Sequence, residues 1–303
     1  MTPQRFLPAL RGSLLGSLLG LLLLAGCSDE ASEPAAQPEG YPLLWELANA
    51  EGEVEGWLFG TIHALPDGVE WRSPVLDAAV AEADVLAVEV ASLDDGVALG
   101  ELFTRLAFND PPGPLAARVD PALGEQYQAL LTQAKVRRSH FDAMETWAAA
   151  LTLAQVAQAA KSENGVDRAL IRDFAGREIV EFEGAETQLR IFDDLPETEQ
   201  RDLLNAVIAE TEDYEQDIGR MARMWQAGDE EQLSELTGKG ILADPELYEA
   251  LLAGRNRAWA AQLENLLSAS ARPFVAVGAA HMFGDDGLPA LMEARGYTVR
   301  RIQ

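Results

Sequence analysis

The chain has 303 residues, of which 50 are acidic and 23 are basic, and its net charge at neutral pH is −27. A protein this acidic is repelled by phosphate backbones and by anionic lipid headgroups, so its charge argues against nucleic-acid binding. The single cysteine excludes an internal disulfide, and the fold must therefore be held together by packing.

The first 26 residues have the pattern of an export signal. Arg5 and Arg11 precede an apolar run over 14–24 that is shorter than a typical membrane-spanning helix. The run ends in Leu-Ala-Gly-Cys, which resembles the bacterial lipoprotein box, in which the cysteine is lipidated and begins the mature chain. We therefore expect residues 1–26 to be removed and Cys27 to carry the lipid.

Residues 27–40 are small, acidic and proline-bearing, which is typical of a flexible tether between a lipid and a domain. Without the leader, which contains two arginines and no acid, the net charge is −29. Attachment to a membrane would then come from acyl chains and not from a basic patch. Ser28 after the cysteine favours the outer membrane over the inner membrane under the common bacterial sorting rule.

Residues 41–303 predict one α/β domain, which begins with a hairpin of strands over 42–48 and 57–62. Ser73-Pro74 predicts the start of a helix that runs to about residue 83, with serine as the cap. The nearly all-apolar run 85–90 is typical of a strand buried on both faces of a parallel sheet.

The rest of the domain alternates between helical and strand patterns. The predicted helices are three within 97–160, one that opens at 165–167, helical sequence over 195–226, one from 244 to about 268 and one over 288–294. The predicted strands lie over 178–183, 273–278 and 297–302. Asp167 is a plausible cap of its helix, and Gly219 is a possible break in the helical sequence over 195–226. This alternation predicts a mixed, mainly parallel sheet flanked by many helices.

Two of the three histidines follow predicted strands in the same short pattern, Gly-x-x-His. The first copy runs from Gly60 to His63 and the second from Gly278 to His281. Glycine at a strand end often marks a bend or a close approach of the backbone, and it would leave room for a metal and a substrate. The third histidine, His140, lies among charged residues and is expected to cap a helix or face water.

Glu89 and Glu183 end two further predicted strands, and the carboxyl ends of parallel strands form the ligand crevice of open α/β sheets. Two imidazoles and two carboxylates in one crevice would suit zinc, manganese or cobalt. Such a metal would polarise a carbonyl and activate a water, whose proton a spare carboxylate could accept. The alternatives are that Glu89 lies in water just past its strand, and that Glu183 forms a solvated acidic edge with Glu181.

Arg255 and Trp259 lie one helical turn apart and share a helix face. The planar guanidinium of Arg255 could hold a substrate carboxylate or carbonyl. An ordinary amphipathic helix would produce the same spacing.

These residues together resemble the TraB/GumN family, which includes the Tiki proteases that cut the amino end of Wnt proteins. The resemblance covers about 43–302 and rests on 58–66, Glu89, Glu183 with Gln188, Arg255-Asn256 with Trp259, and 274–281. It implies a Tiki-like α/β fold and a metal-dependent peptidase or related hydrolase. It also implies that His63 and His281 act with Glu89, supported by Glu183 and Arg255, and that the metal is manganese or cobalt.

The sequence thus predicts a lipoprotein of the bacterial cell envelope, facing the periplasm, with a metal-dependent hydrolase site for a peptide or protein substrate. Two other functions are also consistent with the sequence. The crevice could bind a metal or a cofactor without catalysis, or the long helices over 97–160 and 195–268 could bind a partner protein.

Overall fold

The computed structural model describes residues 40–303, except 94, 111, 134, 158–161, 211–213 and 270. The predicted signal peptide, Cys27 and the tether up to residue 39 lie outside the described residues. Within the described part, no helix is both long enough and apolar enough to cross a lipid bilayer.

The six strands of the described chain form one sheet. They are β1 (Leu44–Ala48), β2 (Val54–Thr61), β3 (Val85–Val88), β4 (Glu178–Glu181), β5 (Pro273–Gly278) and β6 (Thr298–Arg301). The strand order across the sheet is β4-β3-β5-β2-β1-β6. The four strands from β4 to β2 run parallel to one another, and β1 pairs antiparallel with both β2 and β6.

Helices connect and cover the strands. The α-helices are α1 (Pro74–Glu82), α2 (Gly96–Ala107), α3 (Gly124–Gln133), α4 (Thr146–Ala157), α5 (Val166–Asp173), α6 (Gly184–Asp193), α7 (Glu197–Glu210), α8 (Tyr214–Gln226), α9 (Glu230–Leu236), α10 (Pro245–Tyr248), α11 (Gly254–Ser268) and α12 (Leu288–Glu293). A π-helical segment, Glu249–Ala253, joins α10 to α11. The predicted fold class, a mixed and mainly parallel sheet flanked by many helices, is confirmed.

Parallel pairing of β2 with β5 places the two Gly-x-x-His segments side by side. In this pairing Gly60 lies opposite Val277, and Thr61 lies opposite Gly278. Both segments therefore leave the sheet at the same edge, although more than 200 residues separate them in sequence. This register is the feature of the fold that positions the site.

Aromatic packing holds β2 and β5 in place beneath that edge. The ring centroid of Phe59 lies 5.9 Å from that of Phe274 and 6.3 Å from that of Trp225, and all three side chains are fully buried. The indole N–H of Trp225 donates to the carbonyl of Gly60 at 2.8 Å, which satisfies a backbone acceptor at the strand end. Burial of each aromatic side chain stabilises the fold by about 1.5–3 kcal/mol.

Several local predictions are confirmed. The hairpin of β1 and β2 is present, the described residues of 97–160 contain three α-helices, and Ser73 caps α1 by accepting from the Leu76 amide at 3.0 Å. Asp244 caps α10 through the amides of Glu246 and Leu247.

Other local predictions are wrong. Helices α6 and α9 were not predicted, and Gly219 lies inside α8 instead of at a break. Asp167 is not the cap of α5, because Gly165 occupies that position and the Asp167 side chain is buried beside His63. A residue in the first turn of a helix has the same local signature as a cap, so the spacing alone could not separate the two.

Candidate functional site

The four candidate side chains of the crevice lie at one edge of the sheet. His63, Glu89, Glu183 and His281 each follow the carboxyl end of a strand, namely β2, β3, β4 and β5. Because these four strands are adjacent and parallel, the residues that follow them meet at that edge. His140 is exposed, stands edge-on to Phe141 and is not one of this group.

Gly278 leaves open a small space that three of these residues surround, which we call the cradle. A Cβ atom at Gly278 would lie 3.3 Å from Glu89 Oε1, 3.5 Å from His63 Nε2 and 3.6 Å from His281 Cδ2. The two imidazoles are therefore neighbours, with a carboxylate oxygen beside them. A side chain at position 278 would fill the space that they share.

Glu89 is buried, with 4% of its surface exposed, and does not lie in water past its strand. Its Oε1 accepts from the Gly278 amide at 2.7 Å, and its Oε2 accepts from Arg255 at 2.6 Å and from Gln188 at 3.0 Å. Burial alone would raise its pKa, but the positive charge of Arg255 and the neighbouring histidines lower the pKa to about 2. Glu89 is therefore ionised at neutral pH.

Arg255 joins Glu89 to Glu183 and uses all of its donors inside the protein. Its Nε and Nη2 donate to the two oxygens of Glu183, both at 2.9 Å, and Nη2 also donates to Glu89. Its Nη1 donates to the Leu251 carbonyl at 3.0 Å and lies 3.4 Å from His281 Nε2. A guanidinium has five N–H groups, so none remains for a substrate in this arrangement.

The buried position of Arg255 comes from its place on the chain. It is the second residue of α11, directly after the π-helical segment that contains Leu251, and such segments often occur at functional sites. Burial alone would lower its pKa, but Glu89 and Glu183 outweigh burial and raise it. The arginine is not simply one polar residue of an amphipathic helix.

Glu183 is also enclosed, with 8% of its side chain exposed. It accepts a further hydrogen bond from the indole N–H of Trp259 at 3.0 Å. Its neighbour Glu181 is exposed and accepts from the Ala91 amide at 2.5 Å. The two glutamates therefore do not form the solvated acidic edge that the sequence left open.

His281 is 1% exposed and is held by Asn256, a residue whose contact the sequence did not predict. Its Nδ1 lies 2.6 Å from Asn256 Oδ1, while the amide nitrogen of Asn256 donates to the Asp286 carbonyl at 2.7 Å. Since the Asn256 oxygen can only accept, Nδ1 carries the proton and Nε2 keeps a lone pair. Burial, followed by Arg255, lowers the His281 pKa to about 3, so the ring is neutral.

His63 is 5% exposed and faces Asp167. Its Nδ1 lies 3.3 Å from Asp167 Oδ2, which is within ion-pair range, but neither Nδ1 nor Nε2 makes a hydrogen bond within the described residues. Burial alone would lower its pKa, but Asp167 and then Glu89 outweigh burial and raise it. The only signal for Asp167 in the sequence was its place in the first turn of a helix, and the only signal for Asn256 was its place beside Arg255.

A comparison with family models matches residues 43–301 to the TraB/PrgY/gumN family. The chain belongs to the TraB/PrgY/gumN family. No curated protein sequence and no solved structure matches the chain. The matched region contains both Gly-x-x-His motifs and every side chain of the crevice, so the resemblance drawn from those motifs is confirmed.

The charges at the site of this TraB/PrgY/gumN protein are unequal. Three buried carboxylates, those of Glu89, Glu183 and Asp167, accompany one guanidinium, that of Arg255. When His63 is unprotonated, as a metal ligand must be, two negative charges are left without a partner, which is the charge that a divalent cation would balance. In donor type and in charge, the residues fit such an ion.

Arg255 limits that fit in the arrangement described here. Across the described residues, no three His, Cys, Asp or Glu side chains are grouped closely enough to hold an ion. Arg255 also occupies part of the site, because its nitrogens contact Glu89 Oε2 and lie near His281 Nε2. Binding of an ion by both imidazoles would require the guanidinium to move away from His281.

Proposed function

We propose that the protein is a metal-dependent hydrolase, a peptidase, which Cys27 anchors as a lipoprotein in the bacterial cell envelope with its domain facing the periplasm. The observation that supports this function is the cradle at Gly278. There a buried imidazole nitrogen, His63 Nε2, lies beside an ionised carboxylate and the neutral imidazole of His281. Buried polar groups without partners are rare in folded proteins, and a catalytic role or a bound ion or water accounts for many of them.

The residues that would hold the metal are His63 and His281, while Glu89 and Glu183 would contribute their charge. Each imidazole has an oxygen near Nδ1, from Asp167 or from Asn256, which leaves Nε2 of His63 for the ligand, and Nε2 of His281 once Arg255 has moved away from it. In protein metal sites, the ring N–H of a ligating histidine usually donates a hydrogen bond to an oxygen. Mixed imidazole and carboxylate donors suit manganese, cobalt or zinc. When bound, such an ion supplies Lewis-acid polarisation of a substrate carbonyl.

The protein's own groups would position the water and accept its proton. Glu89 Oε1 borders the cradle and accepts a single hydrogen bond from within the described residues, that of the Gly278 amide. It can therefore take a proton from a water held there. Arg255 and Gln188 fix the other oxygen, Oε2, and so set the orientation of the carboxylate. The choice of a peptide substrate follows from the resemblance to the Tiki proteases.

Metal binding tests the site directly. The full-length protein would be purified in detergent, stripped with a chelator and titrated with Mn²⁺, Co²⁺ and Zn²⁺ by calorimetry. We expect His63→Ala and His281→Ala each to weaken binding by at least about tenfold, because each removes a ligand. His140→Ala, which changes the exposed histidine, serves as the control and should bind like the parent. If both site variants bind all three ions as well as the parent does, the metal site is wrong.

Turnover separates a hydrolase from a binding protein. The metal-loaded parent should cleave members of a mixed peptide library, and Glu89→Gln should reduce that cleavage by about 10²-fold or more. A parent that binds metal tightly but cleaves no peptide would favour the alternative function, a non-catalytic metal- or cofactor-binding lipoprotein. A partner protein captured through surface residues of the long helices, independently of both histidines, would favour an interaction module.

A further inference from the structure

The first turn of α5 is fitted onto the backbone at His63. The Val166 amide donates to the Ile62 carbonyl at 2.9 Å, and Asn164 donates from its side chain to the Leu65 carbonyl at 3.1 Å. A Cβ atom at Gly165 would lie 2.5 Å from the His63 carbonyl oxygen, so only glycine permits this approach. The segment 164–166 is therefore fixed against the residues on both sides of His63.

This contact brings Asp167 to the His63 ring. Asp167 is 5% exposed, and its Oδ2 lies 3.3 Å from His63 Nδ1. Its other oxygen, Oδ1, has no hydrogen-bond partner in the part of the chain that the structure describes. Burial of a carboxylate is costly, and the positive end of the α5 dipole offsets only part of that cost. The contact with His63 is therefore the main interaction that accounts for a buried acid at this position.

We propose that Asp167 is the positioning residue of the site: it keeps the proton of His63 on Nδ1 and so directs the lone pair of Nε2 into the cradle at Gly278. The inference rests on the proposed function, because it states how one of the proposed ligands is prepared. Asn256 acts in the same way on His281, with a neutral oxygen in place of a charged one. The two imidazoles differ in their other nitrogen, because His63 Nε2 borders the cradle whereas His281 Nε2 lies 3.4 Å from Arg255 Nη1.

The chain suits a direct spectroscopic test, because it contains three histidines and one of them, His140, is exposed and serves as an internal reference. The full-length protein would be labelled with ¹⁵N-histidine, freed of metal and observed by NMR at an alkaline pH where all three rings are neutral. We expect the parent to show His63 with its proton on Nδ1. A parent in which His63 carries its proton on Nε2 would overturn the proposal without any variant.

Asp167→Asn preserves the shape of the side chain, and its amide can donate to Nδ1. We expect His63 to shift to the tautomer with the proton on Nε2, as happens when the acid behind a catalytic histidine becomes an amide. Binding of Mn²⁺, Co²⁺ or Zn²⁺ should weaken by about 10- to 100-fold, the usual effect of losing such a partner. An unchanged tautomer together with unchanged binding would overturn the proposal.

The matched control is Asp173→Asn, which makes the same substitution at the other end of α5, where Asp173 pairs with Arg72 at 2.6 Å. It should leave both the tautomer and the metal affinity unchanged. The two proposals fail separately. If the parent binds no metal, the proposed function is wrong, and the tautomer spectra still decide whether Asp167 sets the proton of His63.

Discussion

At the scale of single residues, the two glycines of the Gly-x-x-His motifs have different surroundings. A Cβ atom at Gly60 would lie 2.9 Å from the Cα of Ala279, which is backbone and cannot move aside. At Gly278 the nearest atoms belong to the side chains of Glu89, His63 and His281, at 3.3 Å or more. Gly60 is therefore required by the packing of the sheet edge, and Gly278 by the space of the site.

These surroundings predict that alanine mainly weakens metal binding at position 278 and mainly lowers stability at position 60. Gly278→Ala should fill the cradle and weaken metal binding by about tenfold or more, while costing about 1 kcal/mol or less in the free energy of unfolding. Gly60→Ala should lower the free energy of unfolding by about 1–3 kcal/mol, because it overpacks a rigid contact. Calorimetric metal titration and chemical denaturation of both variants would check this. Normal metal binding by Gly278→Ala would show that the ion does not use this space.

At the scale of elements, an indole on α4 contacts two carboxylates, one of which lies at the end of α6. The indole N–H of Trp147, on α4, lies 3.1 Å from Asp193 Oδ1 at the end of α6 and 3.2 Å from Glu145 Oε2. Burial, and then the charge of Glu145, raises the pKa of Asp193. Loss of the Asp193 proton is therefore less favourable in the folded protein than in the unfolded chain.

The sign of the effect on stability follows from that shift. An acid whose pKa is raised on folding favours the folded state below its unfolded pKa, and that contribution is lost as pH rises through the folded pKa. At neutral pH the folded state therefore carries an unfavourable charge at Asp193. An amide at this position keeps an oxygen for Trp147 and removes the repulsion with Glu145.

Asp193→Asn should raise the melting temperature at pH 7, by about 1–3 °C for a domain of this size, and the gain should shrink toward pH 4. Melting curves of parent and variant across this pH range would measure it. Asp194→Asn, at the exposed neighbouring residue, should produce a much smaller gain. A gain that is the same at all pH values would contradict the explanation, since a change in packing alone does not depend on proton uptake.

At the scale of the whole molecule, the expected lipid is the means by which so acidic a protein would be held at a membrane. Without the predicted leader over 1–26 the chain would have a net charge of −29, which anionic headgroups would repel. No described helix meets the length and apolarity needed to span a bilayer. The sequence predicts that the lipid on Cys27 provides the membrane attachment.

Expression in a bacterial host with labelled palmitate would test this attachment. The parent should incorporate label and appear in the membrane fraction, while Cys27→Ser should incorporate none, because the acylated sulfur is absent. Ser28→Ala, at the next position, is the control and should still be labelled. Incorporation of label by Cys27→Ser would show that the chain is not acylated at this cysteine.

Much of the fold could be predicted from the sequence, because strands and capped helices have local signatures. The apolar run before Glu89 and the Ser73-Pro74 start of α1 depend on neighbours within a few residues. Helices α6 and α9 were missed, since both are rich in charged residues and their apolar stripes are short. Gly219 did not end α8, because packing of the helix outweighs the modest helix propensity of one glycine.

The sequence by itself determined which side chains follow the strands, and the parallel sheet then placed His63, Glu89, Glu183 and His281 at one edge. Only the tertiary structure decided which partner each one has. Arg255 donates to a glutamate 166 residues away, and Asp167, in the first turn of α5, faces His63, which follows β2. Local sequence patterns specify backbone conformation and solvent exposure, whereas the pairing of buried charges depends on groups that become neighbours only when the whole chain has folded.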